Sequence, residues 1–321
     1  MNRIVSAVLC LVLALSVGVF SCAEEAGFTV VALKGPTAMG MVKMMDENTV
    51  GASFELQADP QTVSPLVIQG AVDIAAVPAN LAAVLYQKTQ GAIQVIGINT
   101  LGVIYIVESG SSIQSLADLQ GKTIYASGQG STPEYALNYL LSTAGVEANI
   151  EWKSEHAECL SALLSDEAGI AMLPQPFVTT ALAKAKQEGK ELRVALDLTA
   201  EWDALQAGKE EPSAMITGVV IAQKAFIEAH PDQLAAFLAA YRDSVDFVQN
   251  NVDAAAELVA GLGIVPSAAV ASQALPACNI VLIEGEEMQQ KLSGYLSELF
   301  AQNPAAVGGA LPAEDFYYIA K

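Results

Sequence analysis

The sequence predicts an α/β protein of two lobes, each built on a mostly parallel sheet flanked by helices. Short apolar stretches that are typical of buried strands alternate with stretches of helical periodicity, and this alternation favours parallel sheets covered by helices. One unit, an apolar strand followed by a tight loop and the start of a helix, occurs four times. The four units form two pairs of similar spacing, which predicts one pair in each lobe.

The first pair lies in the first quarter of the chain. Residues 28–40 are interpreted as a strand broken at Gly35 and Pro36, and residues 73–80 as a strand broken at Pro78. Glycine permits a sharp turn, and proline fits the first helical turn because the N–H group that it lacks would have no partner there. Each unit therefore predicts a helix that begins at the carboxyl end of a strand.

The second pair lies near the middle of the chain. In residues 122–135, Gly128 and Gly130 allow the backbone to turn, and Thr132 is predicted to be the helix N-cap before Pro133. Residues 169–177 form the fourth unit, which is broken by proline like the second.

The spacing of the units predicts a shared cleft. Gly35 and Pro78 are 43 positions apart, and Gly128 and Pro174 are 46 positions apart. Ligands bind at the carboxyl ends of strands in open parallel sheets, where free helix N–H groups favour anions and polar acceptors. Two such edges that face each other would enclose a ligand.

The remaining elements follow from their own local signals. Asp59 before Pro60 predicts an N-cap, Asn80 is expected to cap a helix to residue 86, and Ser115 to cap a short helix. Further strands are predicted at residues 53–58, 74–77, 93–98, 103–107, 150–153, 192–196 and 215–222.

The C-terminal third is predicted to be mostly helical. Phe237, Tyr241, Val245 and Val248 recur at helical spacing and define the buried face of a helix over residues 231–250. Residues 202–212 are polar and broken, and we expect a surface loop there.

Residues 1–22 are typical of an export signal. Arg3 is followed by an uncharged apolar stretch from residue 4 to residue 20, and small residues follow directly. The sequence Val-Phe-Ser-Cys at 19–22 resembles a bacterial lipobox, which predicts lipidation of Cys22. Cleavage after Ala23, leaving a soluble secreted protein, is the alternative.

The charge of the chain limits its partners. The formal net charge is −20, and it becomes −21 without residues 1–22. A surface this acidic repels nucleic acids, so we expect no nucleic-acid partner. Cys159 and Cys278 are far apart in the sequence and are expected to be buried free thiols rather than a disulfide framework.

Sequence signatures of catalysis and of metal binding are missing. The chain has no Gly-x-Ser-x-Gly, His-Glu-x-x-His or Cys-x-x-Cys sequence, and His156 and His230 are its only histidines. We therefore expect no catalytic residues, no metal and no cofactor. His156 lies in a short acidic helix and is expected to be solvated, as is Lys34 at a strand end.

Four stretches resemble bacterial ABC-importer substrate-binding proteins of the nitrate/sulfonate/taurine and thiamine-pyrimidine-precursor type. They are Ala-Leu-Lys-Gly-Pro-Thr at 32–37, Asp-Ile-Ala-Ala-Val-Pro-Ala-Asn-Leu at 73–81, Gly-Gln-Gly-Ser-Thr-Pro-Glu-Tyr at 128–135 and Pro-Gln-Pro-Phe-Val at 174–178. The resemblance covers nearly all of the chain after residue 22. It implies a type II periplasmic-binding-protein fold, with residues 23–103 and 217–321 in lobe 1 and residues 104–216 in an inserted lobe 2.

The resemblance also implies which residues contact the solute. They are Gly35, Pro36, Thr37, Met39, Pro78, Asn80, Asn99, Thr100, Gly128, Gly130, Ser131, Thr132, Tyr135, Gln175 and Phe177. The hydroxyls of Ser131 and Thr132 and the amides of residues 130–132 could bind an anion or a carbonyl. Asn80 and Gln175 can donate and accept hydrogen bonds. Phe177, Tyr135 and Tyr105 could form a wall against a ring or an alkyl chain.

These expectations predict a protein that captures a small solute between its lobes and delivers it to ABC permease subunits in the membrane. The solute is expected to be anionic or heteroaromatic, and the protein a monomer on the outer face of the cytoplasmic membrane or in the periplasm. An exported enzyme on the same scaffold and the ligand-sensing subunit of a receptor are the alternatives.

Overall fold

The computed structural model describes residues 27–210 and 212–320. The predicted export signal and the lipidation of Cys22 lie outside these residues. Within them, no helix combines the length and the apolar character that a membrane crossing requires.

The first sheet has six strands in the order β11-β4-β10-β3-β1-β2. They span Thr29–Leu33 (β1), Ser53–Gln57 (β2), Ile74–Pro78 (β3), Ile93–Leu101 (β4), Ile216–Gln223 (β10) and Ile280–Ile283 (β11). β1 pairs in parallel with β2 and β3, while β10 runs antiparallel between β3 and β4. Strands β1 to β4 therefore run in the same direction. Strand β10, which follows the second sheet in the chain, runs in the opposite direction.

The second sheet has five strands in the order β7-β6-β8-β5-β9. They span Ile104–Glu108 (β5), Thr123–Ser127 (β6), Asn149–Lys153 (β7), Ile170–Pro174 (β8) and Arg193–Asp197 (β9). β6 pairs in parallel with β7 and β8, and β5 runs antiparallel to β8 and β9. Most strands of each sheet thus run in the same direction, with β10 and the edge strand β11 reversed in the first sheet and β5 reversed in the second. The predicted two-lobed α/β class is confirmed.

Helices cover both sheets. Their bounds are Pro36–Met39 (α1), Val42–Glu47 (α2), Pro60–Ile68 (α3), Ala79–Lys88 (α4), Thr132–Ala144 (α5), His156–Ser165 (α6), Phe177–Gln187 (α7), Leu198–Gln206 (α8), Lys224–Ala229 (α9), Pro231–Asn250 (α10), Val252–Gly261 (α11), Ala268–Ala274 (α12) and Gly285–Gln302 (α13). Short 3-10 turns span Leu116–Leu119, Leu275–Ala277, Pro304–Val307 and Glu314–Phe316. The predicted buried face of α10 is confirmed, and Cys159 and Cys278 are buried free thiols.

Two of the four predicted helix caps are confirmed. The carboxylate of Asp59 accepts a hydrogen bond from the N–H of Gln61 at 2.8 Å, and Ser115 forms a capping box with Asp118. The predictions for Thr132 and Asn80 were wrong, since the N-caps are Ser131 and Pro78. Each helix begins one or two residues before the predicted position, so both side chains are free for other contacts.

The predicted surface loop at residues 202–212 was wrong for its first half: residues 202–206 belong to α8, whereas residues 207–210 form an exposed turn as expected. Trp202 is fully buried within α8, where its ring lies 4.1 Å from that of Tyr139 and 5.5 Å from that of Tyr295. Its indole N–H donates to the hydroxyl of Ser213 at 3.1 Å. The exposed residues at the end of α8 lie on its outer face, while the tryptophan packs between helices of the two sheets.

The two halves of the molecule are connected by the backbone and by direct contacts. The chain passes from the first sheet to the second between Leu101 and Ile104 and returns to the first sheet at Ile216. The hydroxyl of Thr132 donates to the amide oxygen of Asn80 at 3.3 Å, which joins the first turn of α5 to the first turn of α4. Tyr105, which could have faced a solute, donates instead to the carbonyl of Ala277 at 2.9 Å. The lobe limits near residues 103 and 216 remain our proposal.

A buried carboxylate organises the edge of the second sheet. Glu108, 1% exposed, accepts hydrogen bonds from the N–H and hydroxyl of Ser112 and from the N–H of Ile113, and it pairs with Arg193. The ionised carboxylate is stable in this position because each oxygen has charged or polar donors.

We predict that Glu108→Gln lowers the free energy of unfolding by about 2 kcal/mol, because an amide cannot replace the charge-assisted bonds to Arg193 and the turn. Urea unfolding followed by circular dichroism measures this. Glu151→Gln is the control, since its carboxylate is paired with Lys153 on the exposed edge strand β7 and its loss should leave the midpoint nearly unchanged. Equal effects of the two substitutions would contradict the role of the buried carboxylate.

We predict that Thr132→Val loosens the contact between α4 and α5, because valine cannot donate to Asn80 and leaves a buried amide oxygen unpaired. Hydrogen exchange should quicken at residues 81–83 and 135–137. Thr89→Val is the control, since the Thr89 hydroxyl bonds only the Tyr86 carbonyl of its own helix, at 3.2 Å. Identical exchange of these peptides in the two variants would show that the bond between the halves is dispensable.

Candidate functional site

One cavity of about 380 Å³ lies between the two sheets, and all four predicted loops line it. Each loop follows a strand: β1 leads to Gly35, β3 ends at Pro78, β6 leads to Ser131, and β8 ends directly before Gln175. The predicted site residues in its lining are Gly35, Pro36, Thr37, Pro78, Ser131, Thr132, Gln175 and Phe177. The structure thus brings the loops of both pairs together, while their contact with a solute remains a prediction.

The other predicted site residues do not line the cavity. They are Met39, Asn80, Asn99, Thr100, Gly128, Gly130 and Tyr135. Met39 is fully buried in the apolar core. The Asn99 amide donates to the Thr37 carbonyl at 3.0 Å and accepts from the Thr100 hydroxyl at 3.1 Å. Asn99, which is itself held by Thr100, therefore fixes the position of the loop at Thr37.

The crossing strand β10 leaves little room beneath the same loop. A side chain at Gly218 would place its Cβ 2.5 Å from the Asn99 amide oxygen and 2.5 Å from the Thr37 methyl group. A contact this short is sterically forbidden, so only glycine lets β10 pass beneath Thr37 without displacing it.

The glycine-rich loop has few free donors, contrary to expectation. The Gly130 N–H donates to the Glu134 carboxylate at 2.6 Å, and the Ser131 N–H and hydroxyl both donate to the Gly128 carbonyl at 3.1 and 2.7 Å. The Thr132 hydroxyl donates to Asn80. The loop closes on itself because its own helix supplies an acidic residue one turn on. Of the three amides predicted to bind an anion, those of Gly130 and Ser131 are used within the loop, and only the Thr132 N–H has no acceptor among the described residues.

Gln175 is oriented by the first turn of α7. It is 6% exposed, and its amide oxygen accepts from the N–H of Thr179 at 3.4 Å and from the Thr179 hydroxyl at 3.0 Å. A backbone N–H can only donate, so the oxygen of Gln175 must face α7. The NH₂ group is consequently the end of the side chain that is left for the cavity.

Sequence reasoning missed two polar residues of the lining, His156 and Thr217. His156 is not solvated as expected: it is half-buried at the cavity, its Nδ1 lies 2.5 Å from the Ser127 hydroxyl, and its ring lies 5.0 Å from that of Phe177. Burial lowers the pKa of its imidazole. His156 begins α6, with two residues between it and the end of β7, so a fifth strand-to-helix junction was the signal that could have revealed it.

Thr217 lies on the returning strand β10. Its hydroxyl is buried and has no hydrogen-bond partner among the residues that the structure describes. A lone threonine in an apolar strand carries no sequence signal of such a position. An unpaired buried hydroxyl is costly unless a bound molecule or water satisfies it.

The lining is apolar and poor in charge. Lys34, exposed at the rim, is its one formally charged side chain, and none of the described residues that line it is an Asp or a Glu. Five prolines, at positions 36, 78, 133, 174 and 176, belong to the lining together with Phe177. The described part of the chain also holds no group of three His, Cys, Asp or Glu side chains that could bind a metal. The cavity suits a small uncharged or anionic molecule with an apolar body.

Solved structures share this fold at low sequence identity. An ABC transporter protein from Parabacteroides distasonis superposes with a TM-score of 0.77 at 22% identity, covering 92% of this chain and 100% of that one. The periplasmic aliphatic sulphonate binding protein SsuA of Escherichia coli superposes with a TM-score of 0.68 at 16% identity, covering 90% of this chain and 95% of that one. The alkanesulfonate-binding protein SsuA of Xanthomonas axonopodis pv. citri, bound to MOPS, superposes with a TM-score of 0.62 at 13% identity, covering 91% of this chain and 96% of that one. At such identities the likeness shows the fold.

Sequence comparison identifies the family. A search of curated proteins found no significant match. The profile of the family described as NMT1/THI5 like matches residues 50–255, which run from before β2 into α11 and include three of the four loops. The fold, its cavity and this match agree, and the chain is a member of the NMT1/THI5-like family, built on the periplasmic-binding-protein fold.

Proposed function

We propose that the protein is the extracytoplasmic solute-binding component of an ABC importer. It captures a small solute between its two lobes and delivers the solute to permease subunits in the membrane. The observation that carries the proposal is the convergence of four strand-to-helix loops, two from each sheet, on one cavity of about 380 Å³. The sulphonate-binding neighbours with the same fold support it. Export, anchoring through Cys22 and a monomeric state are part of this proposal.

The lining favours a solute with a ring or short alkyl body and at least one hydrogen-bond acceptor. Phe177 and the prolines supply apolar surface, while Gln175 and Thr217 carry donors without a partner in the described structure. Lys34 at the rim adds a positive charge that an anionic group could approach. A cationic solute fits poorly, because the described lining has no carboxylate to pair with it.

The exported-enzyme alternative has one observation in its favour, the contact between Ser127 and His156. Ser127 is 2% exposed and does not line the cavity, so its hydroxyl cannot reach a solute there. His156 in turn has no carboxylate partner among the described residues that would orient it as a base. The pair is therefore better explained as the support of a binding residue.

Mass spectrometry of the small molecules released from the native protein by mild unfolding tests the proposal. We expect one molecule per chain, which raises the melting temperature when it is returned to the stripped protein and is recovered unchanged. Conversion of that molecule into a product would contradict the proposal and favour the enzyme.

We predict that Gln175→Glu weakens solute binding at least tenfold. A glutamate keeps an oxygen for Thr179 but directs a second, negatively charged oxygen at the cavity, where it repels an acceptor group. Isothermal titration with the released solute measures the change.

Gln120→Glu is the matched control for this substitution. The Gln120 amide oxygen likewise accepts a backbone N–H, that of Glu147 at 2.9 Å, but its side chain lies on the surface. Tighter binding by Gln175→Glu would show that the solute is a cation and would overturn the predicted class.

A further inference from the structure

His156 is held at the cavity by two neighbours. Its ring centroid lies 5.0 Å from that of Phe177, with the two ring planes tilted by 51°. Its Nδ1 lies 2.5 Å from the hydroxyl of Ser127, which is 2% exposed. Because Nδ1 is occupied on the protein side, Nε2, on the far side of the ring, is the nitrogen that remains for the cavity.

The Ser127 hydroxyl determines which nitrogen carries the proton. This hydroxyl is buried, and Nδ1 of His156 is its one side-chain hydrogen-bond partner among the described residues. If Nδ1 carried the proton and donated it to Ser127, the buried Ser127 O–H would have no acceptor, which is costly. Donation from Ser127 to Nδ1 avoids this cost, and it leaves the neutral imidazole with its proton on Nε2.

We propose that His156 is a solute-binding residue that presents a neutral Nε2–H donor to the cavity. The proposal rests on the proposed solute-binding function and deepens it. Together with the NH₂ group of Gln175, His156 gives the second lobe two uncharged donors in the same lining as Phe177. The solute would then present acceptor atoms, such as sulfonate or carboxylate oxygens or a ring nitrogen, to that wall while its body lies against the aromatic ring.

The surroundings keep the imidazole neutral. His156 is the first residue of α6, where the helix dipole disfavours a positive charge. Of the charged groups nearby, Glu155 and Glu158 are exposed on its own element, and Lys153 of β7 pairs with Glu151. Lys34, on the first lobe, is a cation at the rim of the same cavity and further disfavours protonation. Neutral donors attract polar acceptors without requiring a full negative charge.

The state of the ring can be tested directly by long-range ¹H–¹⁵N correlation spectra of the wild-type protein, with the exposed His230 as the second signal. We expect His156 to show the Nε2–H tautomer at pH 7 and to titrate below the usual range of an exposed histidine. An Nδ1–H tautomer, or titration within that usual range, would overturn the assignment whatever the protein binds.

Two substitutions separate solute contact from structural support. In His156→Asn the amide oxygen can still accept from Ser127 while nothing replaces Nε2; in His156→Gln the NH₂ group reaches toward the Nε2 position. MOPS, a sulfonate, and 4-aminopyrimidine, a neutral ring with acceptor nitrogens, serve as probes in isothermal titration. For a probe that binds the wild type, we expect at least a tenfold loss in His156→Asn and a smaller loss in His156→Gln.

Wild-type affinity in a folded His156→Asn protein would overturn the proposal, as would an equal loss in both variants. His230→Gln controls for the loss of a histidine elsewhere. If neither probe binds the wild-type protein, the proposed solute class fails, while the spectra still decide the state of His156. The two failures are therefore distinguishable.

Discussion

Parallel strands place their carboxyl ends on one edge of a sheet, and the loops that leave that edge must turn sharply into helices. In this protein, two sheets present such edges to each other, and the chain is threaded so that a strand entering from the other half runs antiparallel through each sheet. The position of the cavity follows from this arrangement. Glycines and prolines occur where they do because the turns at these edges need them.

The hydrogen bonds of the loops decide what the cavity offers to a ligand. Donors that appeared to be free in the sequence are used within the protein: Gly130 binds the carboxylate of Glu134, and Thr132 binds Asn80 in the other half. The groups that remain are side chains fixed by a neighbour, such as Gln175 held by Thr179. Recognition would therefore depend on a few oriented side chains on an apolar wall, and less on helix N-termini.

The sequence predicted the architecture well because strands and helices alternate with clear periodicity and because glycine and proline mark the junctions. The same signals placed the loop at Gly35 on a cleft, whereas Phe177 was expected in the lining because of the resemblance to ABC-importer substrate-binding proteins. Prediction from the sequence failed where a residue's role depends on a distant partner. The burial of Trp202 depends on α5 and α13, and the position of His156 on Ser127 and Phe177. In both cases the polar residues nearby in the sequence predicted that the side chain is exposed to solvent.

Small-angle X-ray scattering tests the central claim, that two lobes close over a solute, most directly. The native protein with its co-purified solute is compared with the same protein after unfolding, dialysis and refolding, with circular dichroism to verify the fold. The account predicts a larger radius of gyration for the stripped protein and a return to the native value when the released solute is added back. Identical scattering in all three states would contradict closure.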